Sequence, residues 1–404
     1  MRTLRLILTS IFTVCFMLQP VGAATLSAST ANKVQRAINL QQQEKWKEAT
    51  TVLESTSTAS TYDVAFVQRM LGGLYWQLGV PNKAIRSLEA AVDSNKLEPD
   101  AQRSAQRMLA DILLSQSRYA EALRRYYSLT SDKLPLTAGH APTEKELADI
   151  WLRIAQAHYQ NQQAKQALSA INRHLSLVAA KVSSLSLKLG AQITLKQWKG
   201  TIASLKQLIA IDPENKAWWL QLTASYQHLN KPTDMLKTLV LAVRKGIALS
   251  PSEKRMMAQL YGQQGVPEKA AALMLELNTK NAKASSLAME ASYWQLAKEW
   301  DNAIAAWQRA AEQDNQYRWS LAQSQLQRGL YQEALTSLDL ITETNQQAQA
   351  ELGQAIAYDK LDNLDKALEH AKRANEIEPT TQTESWIQYL SHKRDAASAV
   401  SDIR

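Results

Sequence analysis

"YWQLGVPNKAIRSLEAAV" at residues 75–92 and "YGQQGVPEKAAALMLEL" at 261–277 share one skeleton. Tyr75, Gly79, Val80, Pro81, Lys83 and Ala84 return at the same spacing as Tyr261, Gly265, Val266, Pro267, Lys269 and Ala270. Glycine can end a helix in the left-handed conformation, and proline at the first position of the next helix gives up no needed donor. The stretch therefore reads as the turn of a helical hairpin, with Lys83 and Lys269 at the surface beside a packed alanine.

If the turn marks a unit, further units should fall between and beyond the two copies. A short residue, usually Ala, recurs at Ala49, Ala84, Ala122, Ala167, Thr201, Met235, Ala270, Ala303, Ala334 and Ala367. The successive spacings are 35, 38, 45, 34, 34, 35, 33, 31 and 33. Such a period is the mark of stacked repeats, because each unit must offer its neighbour the same face. Ahead of each turn a small residue sits among large apolar ones at helical spacing, as in Leu71, Gly72 and Tyr75 or Ile154, Ala155 and His158. A second amphipathic helix follows, as in Ala84, Leu88 and Ala91 or Ala303, Trp307 and Ala310. Small against large lets two antiparallel helices approach closely.

Three departures stand out. The unit before Trp198 reads as one residue short, since Leu189-Gly190 stands too close to the following turn. Thr201 and Met235 in place of Ala predict looser packing. The long spacing after Ala122 leaves "SDKLPLTAGHAP" (131–142) as an exposed loop rich in turn formers. At the other end, "TESWIQYLSHKRD" reads as a lone helix that closes the last apolar face.

Composition agrees. Of 404 residues 45% are hydrophobic, Gly (12) is scarce and Pro (10) modest, while Ala, Leu, Gln and Lys are abundant. These residues lose little on entering a helix, and β-branched runs bounded by Gly and Asn are missing. The fold class is all-α. At the N-terminus Arg2 and Arg5 precede the apolar run Leu6–Leu18, and Val21 and Ala23 are small enough for cleavage. A membrane span needs about 20 apolar residues, so 1–23 reads as a cleaved secretory signal. The one cysteine, Cys15, lies inside it in a context unlike that of a lipid anchor, and the mature chain has no thiol. Residues 24–282 carry 32 basic and 20 acidic side chains, against 12 and 18 in 283–404. No acid occurs between Asp149 and Asp212, where eight Lys or Arg stand. Within that stretch Lys165, Arg173, Lys199 and Lys206 fall on second helices. An exported chain with this balance suits acidic protein partners or anionic head groups better than nucleic acid.

The units resemble the tetratricopeptide repeat, whose consensus runs W-x2-L-G-x2-Y, then A-x3-F, then A and P. Trp151, Ile154, Ala155 and His158 fill the first half of one unit, followed by Ala167 and Ile171; Trp219, Leu222 and Tyr226 fill the same slots in another. The resemblance covers nearly all of 30–380 and implies a right-handed superhelical solenoid of about ten hairpins with a C-terminal capping helix. The expected division is signal peptide 1–23, basic array 24–282, acidic array 283–379, and capping helix with tail 380–404. It further implies a concave groove, lined by first helices, that binds extended peptides or helices. Projected onto this chain, the groove would present Phe66, Arg69, Met70, Trp76, Arg107, Met108, Arg153 and Tyr159, a lining suited to an acidic and apolar peptide. Gln221, Gln227, His228, Gln259, Gln263, Trp319 and Gln323 would line later units. A carboxylate clamp of the Lys/Asn kind is not expected, because Gly73 and Met108 occupy its asparagine places.

No catalytic constellation emerges. The six histidines are dispersed without paired ligand spacing, and His158 reads as a packed residue in an aromatic slot. "LGGLYWQLG" follows no strand, so Gly72 and Gly73 read as helix contacts. No cofactor and no metal are expected. The expectation is an exported, periplasmic, non-catalytic scaffold. Its whole-chain layout is similar to periplasmic tetratricopeptide proteins accompanying TonB systems of gammaproteobacteria, which implies TonB-complex components as partners. A scaffold for exopolysaccharide export or outer-membrane assembly is the alternative, and an enzyme with an unrecognised site a remote third.

Overall fold

The computed structural model of the protein describes residues 25–130 and 142–401. The signal segment 1–23 and most of the loop at 131–142 lie outside these residues. What is described is helical throughout, without a strand. The helices pair as α1 (Ala28–Gln42) with α2 (Trp46–Glu54), α3 (Thr61–Gln77) with α4 (Pro81–Asp93), and α5 (Pro99–Ser115) with α6 (Tyr119–Leu129). Next come α7 (Glu144–Gln160) with α8 (Ala164–Leu177) and α9 (Val182–Thr194) with α10 (Trp198–Ile211). These five hairpins form the first of two compact units, which ends at Ile211. The second unit begins at Asp212. It pairs α11 (Lys216–His228) with α12 (Pro232–Arg244), α13 (Pro251–Gln263) with α14 (Pro267–Leu277), and α15 (Ala284–Leu296) with α16 (Trp300–Gln313). It closes with α17 (Arg318–Arg328) and α18 (Tyr331–Asp339), α19 (Gln347–Lys360) and α20 (Leu364–Ile377), and the single helix α21 (Thr381–Ser401). Within each unit the second helix of one hairpin packs on the first helix of the next, and α21 packs on α20. Among the described residues each unit is an all-α stack of five helical hairpins, and the second carries the cap.

All ten turns are built alike. Glu44, Gly79, Ser117, Gln162, Lys196, Asn230, Gly265, Lys298, Gly329 and Asp362 are left-handed, with φ between 52° and 84°. In each case the next residue donates its N–H to the carbonyl five positions upstream, at 2.8–3.0 Å, as Val80 does to Tyr75 and Asn363 to Tyr358. This bond satisfies a carbonyl that the helix end would otherwise orphan. Seven of the ten positions are not glycine, at a strain of roughly 1 kcal/mol each, so the backbone closure and the packing behind it outweigh side-chain preference. Over the turn, Lys83 lies 5.1 Å from the Tyr75 ring, Lys269 5.6 Å from Tyr261 and Lys366 5.2 Å from Tyr358. The repeated lysine is thus a cation on the aromatic that starts the turn, a contact worth about 0.5–1 kcal/mol at such sites.

Behind each turn two positions twelve residues apart are both buried, such as Gly72 and Ala84, Ala155 and Ala167, and Ala355 and Ala367. The unit before Trp198 obeys the same count and is not short. Leu189 takes the small slot opposite Thr201, Gln192 takes the aromatic slot, and Gln197 N–H closes on the Gln192 carbonyl at 2.9 Å. Gly190 serves another purpose: a Cβ there would stand 2.7 Å from the Tyr159 hydroxyl. Thr201 and Met235 are both buried, and Thr201 Oγ1 donates to the Trp198 carbonyl at 2.8 Å, so neither leaves a gap at the surface.

Gly72 and Gly73 differ in kind. A Cβ on Gly72 would sit 2.4 Å from Leu88 Cγ, whereas a Cβ on Gly73 would meet nothing within 4 Å. Only Gly72 is a helix contact. Gly72→Ala is expected to destabilise the first unit by about 1–2 kcal/mol, overpacking outweighing the helix-propensity gain. Gly73→Ala should stabilise it by roughly 0.5–1 kcal/mol. Urea unfolding of the two variants beside the parent checks both signs.

Two polar clamps fasten the ends. Asp63, with no exposed surface, accepts the Ser27 N–H at 3.3 Å, the Ser27 hydroxyl, and the Thr58 hydroxyl at 3.2 Å, which ties the start of α1 to α3. At the other end, Leu390 is fully buried among Ala367, Leu368 and Ala371, and Lys393 Nζ lies 2.8 Å from Asp359 Oδ1.

Candidate functional site

First helices of neighbouring hairpins meet along one face of each unit, as α7 meets α9 and α17 meets α19. In the first unit this face holds all eight candidate residues: Phe66, Arg69, Met70 and Trp76 on α3, Arg107 and Met108 on α5, Arg153 and Tyr159 on α7. The helical repeat puts them there because they flank the small residue that points into the hairpin. Phe66, Met70, Trp76 and Met108 are half-buried against the main core. Tyr159 is 37% exposed, with its hydroxyl over Gly190.

The three arginines are not equivalent. Arg107 Nη2 lies 3.9 Å from Asp149 Oδ2 on α7, and Arg153 Nε lies 3.7 Å from Asp111 Oδ1 on α5. Arg153 also donates to Gln156 at 3.3 Å. Asp111 in addition accepts the hydroxyl of Tyr126, which burial first, and the adjacent carboxylate second, hold far above the ordinary phenol range. These crossed contacts stitch α5 to α7 and cancel two of the three cations. Such exposed pairs contribute only about 0–1 kcal/mol each, but they remove free charge from the face. Arg69 has no carboxylate partner among the described residues. Its guanidinium lies 5.0 Å over the Phe66 ring, and Nε is buried without a hydrogen bond. Burial lowers its pKa below the ordinary guanidinium value, the nearby Tyr62 opposing in part.

Asp111 and Asp149 were missed when the face was read from sequence, although Asp111 stands four residues after Arg107 on the same helix stripe. Counting back two residues from the small slot would also have found Met256 and Met289, which match Met70 and Met108 in register. They are 37% and 45% exposed on the corresponding face of the second unit. Among the neutral residues expected there, Gln227, Gln259, Gln263 and Gln323 are exposed, as is His228, whereas Gln221 and Trp319 are half-buried. In the acid-free stretch, Lys165, Arg173, Lys199 and Lys206 are exposed on the second helices α8 and α10, and Arg173 lies 4.7 Å over the Trp151 ring.

Nothing on the face resembles a reaction centre. His158 is buried and held from both sides, Nδ1 at 2.6 Å from Gln163 Oε1 and Nε2 at 2.7 Å from the Tyr127 hydroxyl. It packs as an aromatic-slot residue. Among the described residues no group of three or more His, Cys, Asp or Glu side chains could hold a metal ion, and no helix is long and apolar enough to cross a membrane.

Residues 69–132 match the tetratricopeptide repeat family model. That span runs from α3 to just past α6 and contains five of the eight candidate residues. No curated protein matches the chain. Among solved structures, the chain is similar to the C-terminal part of a tetratricopeptide repeat-containing protein from Cytophaga hutchinsonii, at 13% identity over 70% of this chain and 95% of that one, with a TM-score of 0.39. A second is YrrB, described as a tetratricopeptide repeat protein with an unusual peptide-binding site, at 17% identity over 47% and 97%, TM-score 0.36. A third is the APC/C hetero-tetramer Cut9–Hcn1, at 12% identity over 89% and 84%, TM-score 0.29. Likenesses this distant do not bear on what the chain does. The repeat assignment rests on the matched span and on the ten turns, and tetratricopeptide repeat proteins are in general non-catalytic scaffolds that bind protein partners.

Proposed function

We propose that this chain is an exported, non-catalytic scaffold that holds a protein partner on the first-helix face of its first unit. The observation that carries this reading is the face itself: half-buried Phe66, Met70, Trp76 and Met108 present apolar surface beside one unpaired guanidinium. Aromatic and Met side chains adapt to apolar anchors, and an arginine in such a setting selects an acidic neighbour. Affinity would come from a few buried anchors. The signal-like segment 1–23 supports export, and we place the protein in the periplasm. The layout of signal and repeats favours an accessory role in a TonB-dependent uptake system, with TonB-complex proteins as partners.

The exposed basic residues of α8 and α10 support a second reading, a scaffold for exopolysaccharide export or outer-membrane assembly. Crosslinking in cells followed by purification separates the two. TonB-system proteins in the eluate support the first, and export-machinery proteins the second. The double variant Met70→Glu/Met108→Glu is expected to reduce partner recovery at least tenfold while circular dichroism stays helical. Full recovery would sink the groove.

A further inference from the structure

Of nine methionines, Met1 and Met17 fall in the signal-like segment 1–23, and residues 24–404 hold the other seven and no cysteine. All the sulfur of that stretch is therefore thioether. The hairpin register sorts it. Met70, Met108, Met256 and Met289 stand on first helices, two residues before the small slots Gly72, Ala110, Ala258 and Ala291. Two steps along a helix turn by about 200°, so this position faces away from the one that packs into the hairpin. Met235, Met257 and Met274 are buried instead, and Met274 clusters with Ala258 and Ala270. The contrast is sharpest between successive residues: Met256 is 37% exposed and Met257 is 6% exposed. Met289 is exposed like Met256, whereas Met70 and Met108 are half-buried against the main core.

We infer that Met256 and Met289 are an oxidation site for hydroperoxides, at which the second unit exchanges an apolar face for a polar one without unfolding. The reaction is an oxygen-atom transfer. A sulfur lone pair attacks one peroxide oxygen, and the O–O bond breaks as the S–O bond forms. The leaving hydroxide takes up the proton of the transferred oxygen and departs as water. Sulfur loses two electrons, the peroxide gains them, and each methionine consumes one peroxide. Because the oxidant must reach the sulfur, access decides the rate. The exposed side chains of Met256 and Met289 meet that condition in the folded chain, and the three buried ones meet it only when a hairpin opens. A sulfoxide in water costs no desolvation, whereas one at Met274 would bury an acceptor without a donor. The first two oxygens therefore leave the helices intact, and a methionine sulfoxide reductase restores the thioethers. At Met70 and Met108 the same reaction, slowed by half burial, takes two apolar anchors from the partner face of the first unit. That later step rests on the scaffold reading; the site on the second unit does not.

The test exposes the full chain to hydrogen peroxide and follows sulfoxide at each methionine by peptide mass mapping, with fragmentation to separate residues 256 and 257. Met256 and Met289 are expected to gain oxygen first and Met70 and Met108 next. Met235, Met257 and Met274 should react at least about tenfold more slowly than the first pair. Circular dichroism should be unchanged once the first two oxygens are in. In denaturing urea all seven should react alike, because the order comes from the fold and not from the neighbouring sequence. Met256→Leu/Met289→Leu, which nearly keeps side-chain volume, should lose the fast phase and leave the other rates as in the parent. Equal rates at Met256 and Met257 in the folded chain, an order that survives urea, or loss of helicity with the first two oxygens would overturn the site. Partner recovery by crosslinking should fall with oxidation of Met70 and Met108 and persist in Met70→Leu/Met108→Leu. Recovery that withstands their oxidation would count against the groove and leave the oxidation site standing.

Discussion

Asp63→Ala is expected to loosen the N-terminal hairpin by about 3 kcal/mol, the value of a buried carboxylate that several donors share. The side chain has no exposed surface. Burial alone pushes its pKa up, and hydrogen bonds from Ser27, Thr30 and Thr58 more than reverse this, so the carboxyl titrates below its ordinary 3.8. A lowered folded pKa means stability that is fully present above the unfolded value and lost as pH falls through the folded one. The clamp should therefore be complete at neutral pH and fail only below about pH 3.8. Hydrogen exchange resolved by segment provides the measurement. Amides of α1 and α2 should lose protection in Asp63→Ala at pH 7 while α7–α10 stay unchanged, since stability in stacked repeats is local. Equal loss everywhere, or none, would show that Asp63 does not anchor α1. In Asp63→Asn the acid-dependent part should vanish, because no proton remains to be taken up.

Lys393→Met should detach the cap. Asp359 is 2% exposed on its side chain, and its ion-pair partner is Lys393, itself 36% exposed. Removing the partner of a fully buried carboxylate costs several kcal/mol; because the lysine end is wet, roughly 2–3 kcal/mol is the appropriate scale here. Methionine preserves the stem against α20, so the loss reads out the charge alone. Protection in α19–α21 should drop while the first unit is untouched. The reciprocal change Asp359→Asn removes the buried charge itself and should cost less than Lys393→Met. If both cost the same, the pair contributes only packing.

How much of this was legible in the sequence depends on what each residue reports. The ten hairpins can be read because a short residue, usually Ala, returns after each turn wherever two helices must approach closely. Spacing alone misleads at Gly190: it points to that glycine as the small slot, which Leu189 fills. Glycine there answers to Tyr159 of the preceding hairpin, a contact between repeats that spacing alone does not encode. Lys83 and Lys269 were placed at the surface, and only the folded turn shows them over Tyr75 and Tyr261. The face of the first unit can be read as a set of stripes, because helical periodicity fixes which residues share a side. Its charge was overestimated, since Asp111 and Asp149 reach their arginines across a helix boundary. Where a cation stands is a local property of the sequence; whether it is free is a property of the neighbouring hairpin.

The turn also determines how such a chain can change its length. From Gly79 to Ala84, from Lys196 to Thr201 and from Asp362 to Ala367, the step out of the left-handed residue is the same, and so is the backbone bond that closes it. The variation in the period, from 31 to 45 residues, falls outside the turn, in the lengths of the helices and of the joints between hairpins. Each hairpin therefore carries its own closure as a sealed module, and insertions or deletions are kept out of it. A molecule assembled this way can gain or lose whole modules, or lengthen a joint, while every surviving turn remains spliced in register.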